Sequence, residues 1–355
     1  MRFVLKDDFL KKLREISKNY KVFVPVKKDY FHLFQELKDD ILPDFSFFNT
    51  KLSPKSILFP QSERMFEYSL DKDDPDAYIL KEAKKDFSPQ IIVGIRPCDA
   101  HAFQIVKQNF DTPEYKDPWW TKRYSLTTFI GLACNSPRSS CFCLKVGGGP
   151  FSEKGLDAIM YDLGEGFLIK DITDKGRDFL DKIGGDEAKK EHLEKAEKLK
   201  KEAEEKIKVD LKIEDLLKRP VLSVFESDIW NSVSFPCITC GICTFLCPTC
   251  WCFDIQDEVY GKRGDRIRNW DSCMFPIFTL HASGYNPRGE KFRRVRQRFM
   301  HKLKYYPERY KKGIQCSGCG RCIMYCPTNM DIRRIINMLA EEKRNESISS
   351  LSCKD

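Results

Sequence analysis

The stretch Cys237–Asp257, CITCGICTFLCPTCWCFDIQD, carries six cysteines in 21 residues. Four of them, Cys237, Cys240, Cys243 and Cys247, with Pro248 next, follow the spacing C-x2-C-x2-C-x3-C-P. Cys316, Cys319, Cys322 and Cys326, with Pro327 next, repeat it. Two-residue gaps let three successive thiolates wrap one iron–sulfur cube in a tight loop, and Gly241, Gly318 and Gly320 relax the backbone there. The fourth cysteine lies past that loop and reaches the other cube, where Pro redirects the chain. The spacing therefore assigns Cys237, Cys240, Cys243 and Cys326 to one 4Fe-4S cluster. It assigns Cys316, Cys319, Cys322 and Cys247 to a second. Zinc sites usually use two two-cysteine knuckles and lack the third step and the x3-C-P ending.

Working outward, the motifs sit in a 355-residue chain with 16 cysteines and five histidines. No two histidines stand at ligand spacing, so the metal chemistry is thiolate-dominated and points to iron–sulfur or zinc. The N-terminus, MRFVLKDDFLKKLREI, is acidic in part and has no cleavable apolar core, and the longest apolar runs are strand-sized. The expectation is a cytoplasmic protein with no membrane span. Thiols stay reduced in that compartment, which argues for metal rather than disulfides.

The length allows two or three domains. Residues 1–184 mix β-type runs (KVFVPV, IIVGIRP, LTTFIGLAC) with amphipathic stretches such as FVLKDDFLKKLREISK, where Phe9, Leu10, Leu13 and Ile16 share a face. This part reads as an α/β domain. VGGGP, from Val146 to Pro150, lacks nucleotide-loop spacing and reads as a turn. Residues 185–220 are rich in Glu, Lys and Ala and predict one long charged helical connector, ended by Pro220, with pairs such as Glu194/Lys198 and a thin seam of Leu193, Ala196, Leu199 and Ala203. Residues 221–345 hold both motifs. The 68 residues between Cys247 and Cys316 read as helices, so this part is expected to be a mostly helical ferredoxin-type dicluster domain. In it, KFRRVRQRFMHKL sets Phe292, Val295, Phe299 and Leu303 on one face and Arg and Lys on the other. The tail 346–355 is polar and expected to be flexible, with Cys353 a free thiol.

Net charge is +8, and between Gly261 and Gly313 there are 15 Lys and Arg against 4 Asp and Glu. A nucleic-acid surface is disfavoured, because the aromatics there fall at helical spacing rather than as a stacking platform. Compensation of anionic thiolate clusters by nearby cations explains the excess better.

Two groups of cysteines remain. Cys98 in GIRPCDA, Cys134 in GLACN, and Cys141 and Cys143 in SSCFCLK number the four that a cube needs, and the first two end expected strands, where α/β domains place ligands. Buried structural thiols are the competing reading. Cys250 and Cys252 flank Trp251, and Cys273 stands in WDSCM. Buried thiols that tune a neighbouring cube are the favoured reading. Alternative ligands, or a redox-active pair handling sulfur, are the others. Arg96 and Asp99 beside Cys98 are expected to support that site.

GIRPCDAHAF, CNSPRSSCFC, GGGP, CITCGICTFLCPTCWCFDIQD, RNWDSCMFPIF, HASGYNPR and CGRCIMYCP occur in this order. Together they resemble the family that contains the beta subunit of cytoplasmic sulfhydrogenases and the iron–sulfur subunit of anaerobic sulfite reductase. The resemblance implies an electron-transfer subunit of a hetero-oligomeric oxidoreductase, placed between a flavin subunit that handles NAD(P)H and a catalytic subunit such as a nickel–iron hydrogenase. A sirohaem sulfite reductase, or a flavin complex linked to heterodisulfide reductase, is the alternative setting. It further implies a third 4Fe-4S cluster on Cys98, Cys134, Cys141 and Cys143. No acid–base or nucleophilic constellation stands out, so no catalytic site of its own is expected. A self-contained sulfur reductase using the spare cysteines is the competing class, and a zinc-stabilised nucleic-acid module is a remote third.

Overall fold

The computed structural model of the protein describes residues 1–342. The expected tail and Cys353 lie outside the described residues. Eight strands form one mixed sheet in the order Asp186–Glu187, Arg2–Leu5, Gly166–Asp171, Ala158–Asp162, Thr127–Leu132, Gln90–Ile95, Lys21–Lys28, Phe31–Glu36. The four strands from Ala158–Asp162 to Lys21–Lys28 run parallel, and the flanking pairs are antiparallel. Parallel strands are covered on both faces and so read as continuous apolar runs. Gln90–Ile95 is buried at every position. Alternate side chains feed two cores. Ile91 and Val93 pack with Phe9, Leu13 and Phe179 on one face. Ile92 and Ile95 pack with Phe103, Val106 and Ala196 on the other. The α/β reading of the N-terminal part is what the chain forms. Helix Lys6–Ile16 buries Phe9, Leu13 and Ile16, as the periodicity requires.

This topology positions two cysteines. Gln90–Ile95 feeds through Arg96 into helix Pro97–Phe110, whose first turn carries Cys98. The neighbouring strand Thr127–Leu132 ends two residues before Cys134. Both therefore lie at the C-terminal ends of adjacent parallel strands, the edge at which open α/β sheets gather ligands.

The charged region from 185 onward is not one helix. Asp186–Glu187 forms a short edge strand on Arg2–Phe3. Helix Lys190–Glu205 follows, and a separate helix spans Ile213–Lys218. The break falls at KIKVDLK, where Ile207 turns inward. The first helix lays Ala196 and Ala203 on the large sheet, while Leu193 stays exposed, and Glu194 pairs with Lys190 at 3.6 Å.

The expectation of a mostly helical C-terminal part needs correction. Phe253–Tyr260 and Arg263–Trp270 form an eight-pair antiparallel hairpin around Gly261 (φ +61°). The second strand pairs with Ser62–Ser69, which also carries Lys81–Glu82, giving a second, four-stranded sheet. That sheet thus draws two strands from within 1–184 and two from within 221–345. The first strand alternates at Phe253, Ile255 and Val259, but it is largely exposed on both faces, so the alternation marks no buried face and the hairpin escaped the pattern reading. Its root is tied down by charge. Arg268, itself buried, meets Glu63 at 2.5 Å and also pairs with Asp117, and Arg123 pairs with Glu63. The remaining C-terminal elements are helical, around a core of Trp230, Val295, Phe299, Leu303 and Ile336.

Candidate metal centres

Both four-cysteine loops turn on left-handed residues. Gly241, Gly318 and Gly320 have φ of +75°, +69° and +75°, and Gly241 and Gly320 each cap the short helix that follows. A Cβ on Gly318 would lie 2.5 Å from the backbone N of Cys143, and one on Gly320 would lie 2.7 Å from the backbone O of Ser140. The 140–143 loop and the second motif therefore press backbone to backbone, and Phe142 N–H donates to Gly318 O at 2.9 Å.

The cysteines surround three cavities. The first is lined by Cys237, Cys240, Cys243 and Cys326, with Cys322 and Arg298 in its wall. The second is lined by Cys247, Cys316, Cys319 and Cys322, again with Arg298, and with Lys302. In each, the fourth cysteine of one motif stands with the first three of the other. The third cavity is lined by Cys98, Cys134, Cys141 and Cys143, with Cys319 and Arg321 in its wall. Cys319 is thus common to the third and second cavities, and Cys322 to the second and first. Among the described residues, no group of three or more His, Cys, Asp or Glu is arranged to hold a single metal ion. The thiols ring spaces instead of converging on a point.

Polar groups point at these sulfurs. Backbone N–H groups of Thr239, Gly318 and Met330 donate to Cys237, Cys316 and Cys326 Sγ at 3.4, 3.4 and 3.3 Å. Asn49 Nδ2 donates to Cys98 Sγ at 3.7 Å. Lys302 Nζ donates to Cys247 Sγ at 3.4 Å and to Thr249 Oγ1 at 2.8 Å. The Cys250 thiol, with Lys302 and Thr249, holds Cys247 well below the usual thiol range against the effect of burial. At three other cysteines burial wins. It pushes Cys141 and Cys319 up to about 11 and Cys143 up to about 12. Thiols so raised are poor free nucleophiles, but bound iron would hold them deprotonated.

The charged face of helix Lys291–Met300, continued by the helical turn His301–Tyr305, overturns a simple amphipathic reading. Val295, Phe299 and Leu303 are buried as expected, but Arg294, Arg298, Lys302 and Lys304 are buried as well. Arg294 and Lys304 satisfy backbone carbonyls, of Gly289 and of Leu216, Leu217 and Arg219. Arg298 is different. It is 4% exposed, it faces the first two cavities, and its Nε has no hydrogen-bond partner. Burial disfavours its charge, yet the sulfurs of Cys243, Cys322, Cys250 and Cys247 around it, when ionised, more than offset this and raise its pKa. A buried cation without a carboxylate is costly unless an anion lies beside it. Thiolate-bound iron–sulfur groups held in the two cavities would supply that negative charge, so the residues present fit such groups. The sequence pattern missed Arg298 and Lys302 as individuals. Only the excess of cations over 261–313 hinted at them.

Comparison with known proteins agrees with this geometry. Residues 236–330 match the 4Fe-4S dicluster domain family. Over 340 residues the chain is 28% identical to the protein named sulfhydrogenase 2 subunit beta of Pyrococcus furiosus, covering 94% of this chain and 96% of that one. The resemblance drawn from the ordered motifs therefore stands. No solved structure matches. None of the described helices is long and apolar enough to cross a membrane.

With a dicluster domain in hand, the charge of Arg298 has a measurable consequence. At roughly 7 Å and an effective dielectric constant of about 20, a unit charge contributes about 2 kcal/mol. For a one-electron couple that is on the order of 100 mV. Arg298→Leu is expected to lower the midpoint potentials of the dicluster domain by this order in a redox titration followed by electron paramagnetic resonance. Unchanged potentials would remove Arg298 from the clusters' surroundings.

The other residues singled out from the sequence also have places. Arg96 donates to Leu132 O at 3.2 Å and Ala133 O at 2.6 Å, holding the strand end before Cys134. Asp99 pairs with Arg321 of the second motif. Cys250, Cys252 and Cys273 line none of the three cavities. Trp251 packs edge-on against Phe110, ring centroids 5.6 Å apart.

Proposed function

We propose that this chain is an iron–sulfur electron-transfer subunit of a cytoplasmic multisubunit oxidoreductase, with three 4Fe-4S clusters in a row. Cys237, Cys240, Cys243 and Cys326 hold the first, Cys247, Cys316, Cys319 and Cys322 the second, and Cys98, Cys134, Cys141 and Cys143 the third. Bound there, the clusters supply one-electron chemistry. The observation that carries the reading is the sharing of walls: Cys319 borders the third and second cavities, and Cys322 and Arg298 border the second and first. The chain's own part is to hold these sites adjacent and to offset their charge with Arg298, Lys302 and Arg321. Cys240 is exposed, which leaves the first site open to a partner at one end of the row.

The partners in this reading are a flavin subunit handling NAD(P)H and a catalytic subunit of nickel–iron hydrogenase type. The similarity to a sulfhydrogenase beta subunit supports that choice. A sulfur reductase working on the spare cysteines is less well supported, because Cys273 is buried and Cys250 and Cys252 face no cavity of the row. Purification of the tagged chain from its own cells without air tests the proposal. Flavin and nickel are expected to travel with it, and the isolated chain is expected to turn over neither hydrogen nor sulfite. Sirohaem in place of nickel would favour the sulfite reductase setting. Turnover by the isolated chain, or absence of any redox partner, would overturn the reading.

A further inference from the structure

Each electron that enters an iron–sulfur cube adds negative charge, which the surroundings have to stabilise. At the first site water can do this, because Cys240 is exposed. The second site is more enclosed: Cys247 and Cys316 are 7% and 8% exposed. There the stabilisation has to come from the protein. Lys302 is 3% exposed and lies one helical turn past Arg298, where the π-helical turn His301–Tyr305 continues helix Lys291–Met300. Single π-helical turns inside α-helices recur at functional sites. All three N–H bonds of the Lys302 ammonium are placed. They point to Cys247 Sγ at 3.4 Å, Thr249 Oγ1 at 2.8 Å and Gln315 O at 3.2 Å. None of these acceptors is a carboxylate, so no side-chain anion other than the cysteine sulfur takes up the charge.

We propose that Lys302 is a positioning residue for electron passage: it aims a positive charge at Cys247 Sγ and so keeps the enclosed second centre reducible enough to relay electrons between its neighbours. The inference rests on the cluster reading above and deepens it. Three observations carry it. First, of the three cavities Lys302 lines the second alone, whereas Arg298 faces the first and the second. Second, the aim is fixed by a closed set of buried bonds. Gln315 N–H donates to Lys302 O at 2.8 Å, Thr249 Oγ1 donates to Gln315 O at 2.9 Å, and Gln315 Nε2 donates to Thr249 O at 3.1 Å. Thr249 stands two residues after Cys247, and Gln315 stands one before Cys316. The two motifs are thus clamped at Lys302, where the second site borrows a cysteine from the first motif. Third, the donor is charged. Other cysteines of the row accept from neutral groups, the backbone N–H of Thr239, Gly318 and Met330 and the amide of Asn49. A charge-assisted hydrogen bond is the stronger kind.

The consequence is selective. Loss of the Arg298 charge acts on two centres at once. Loss of the Lys302 charge acts on the middle one, lowers its potential against both neighbours, and so raises a barrier in the centre of the row.

The experiment uses the anaerobically purified holoprotein, its iron counted first and its midpoint potentials then followed by electron paramagnetic resonance. Lys302→Met is expected to keep full iron and to lower the potential of one centre, with the others in place. That centre is expected to be one of the two that Arg298→Leu moves, which identifies it as the second. It is expected to fall further than in Arg298→Leu, because the ammonium touches the sulfur itself. Lys302→Arg keeps the charge and is expected to keep most of the wild-type potential. Thr249→Val removes a hydroxyl that helps aim the ammonium and is expected to lower the same centre by less. The proposal falls if Lys302→Met with full iron leaves every potential unchanged, or moves all centres alike. Should Lys302→Met lose iron, Thr249→Val decides: a fall at one centre supports the proposal, and unchanged potentials overturn it. A wild-type chain with fewer than about eight iron atoms would instead refute the cluster reading on which the proposal depends.

Discussion

A chain in which Cys98 and Cys134 are both replaced by alanine is expected to bind about eight iron atoms, where the wild type binds about twelve. This is the larger of the two effects expected at the domain junction, because a cube left with two protein thiolates is not retained. The four cysteines reach their cavity from three separate pieces of chain: the first turn of helix Pro97–Phe110, the end of strand Thr127–Leu132, and the loop entering the turn Cys143–Val146. Such convergence is costly as mere packing. Burial raises Cys98, Cys141 and Cys143, so as free thiols they would be inert core atoms. The wall they share with Cys319 gives a third cluster a neighbour to exchange electrons with. Iron and acid-labile sulfide per chain, on protein purified without air, decide the matter. About eight iron atoms in the wild type, unchanged in the double variant, would return these cysteines to a structural role.

Arg321→Met is expected to destabilise the folded holoprotein by roughly 3–5 kcal/mol, the usual cost of leaving one partner of a buried pair alone. Arg321 and Asp99 are 2% and 0% exposed. The guanidinium donates to both carboxylate oxygens, at 2.5 and 2.8 Å, and its Nε donates to Thr50 O at 2.8 Å. Burial works against the Arg321 charge, but Asp99 and then Cys319 raise its pKa above the ordinary arginine value. The pair also joins the two halves: Asp99 stands next to Cys98 at the end of the large sheet, and Arg321 stands between Cys319 and Cys322 of the second motif. Anaerobic urea unfolding followed by tryptophan fluorescence measures the loss. In the double variant Asp99→Asn/Arg321→Met no uncompensated charge remains, so part of the stability is expected to return. A double variant as unstable as the single would show that packing, not charge pairing, holds the junction.

The grouping of the motif cysteines was legible from residues alone. The C-x2-C-x2-C-x3-C-P spacing is a local property: two-residue gaps and left-handed glycines dictate how three thiols wrap a loop, whatever surrounds it. Hence the grouping of Cys326 with Cys237, Cys240 and Cys243 could be read before any fold was known. The apolar, β-branched runs likewise announced the parallel strands, because a strand buried on both faces has a continuous apolar composition.

What the residues could not announce depended on distant partners. The hairpin Phe253–Trp270 has few buried side chains, so the alternation in its first strand marked no core face and did not reveal the pairing with Ser62–Ser69. Helix Lys291–Met300 showed an apolar and a charged face in the sequence, and the excess of cations pointed to charge compensation without naming which residues supply it. Only the fold turned Arg298 and Lys302 inward, because cavities ringed by thiolates cover that face. The sequence by itself determined which motif cysteines group together and how their loops turn, since these rest on short-range covalent constraints. The tertiary structure alone decided which cations, thiols and loops meet at each site, since those encounters are set by the packing of segments far apart in the chain.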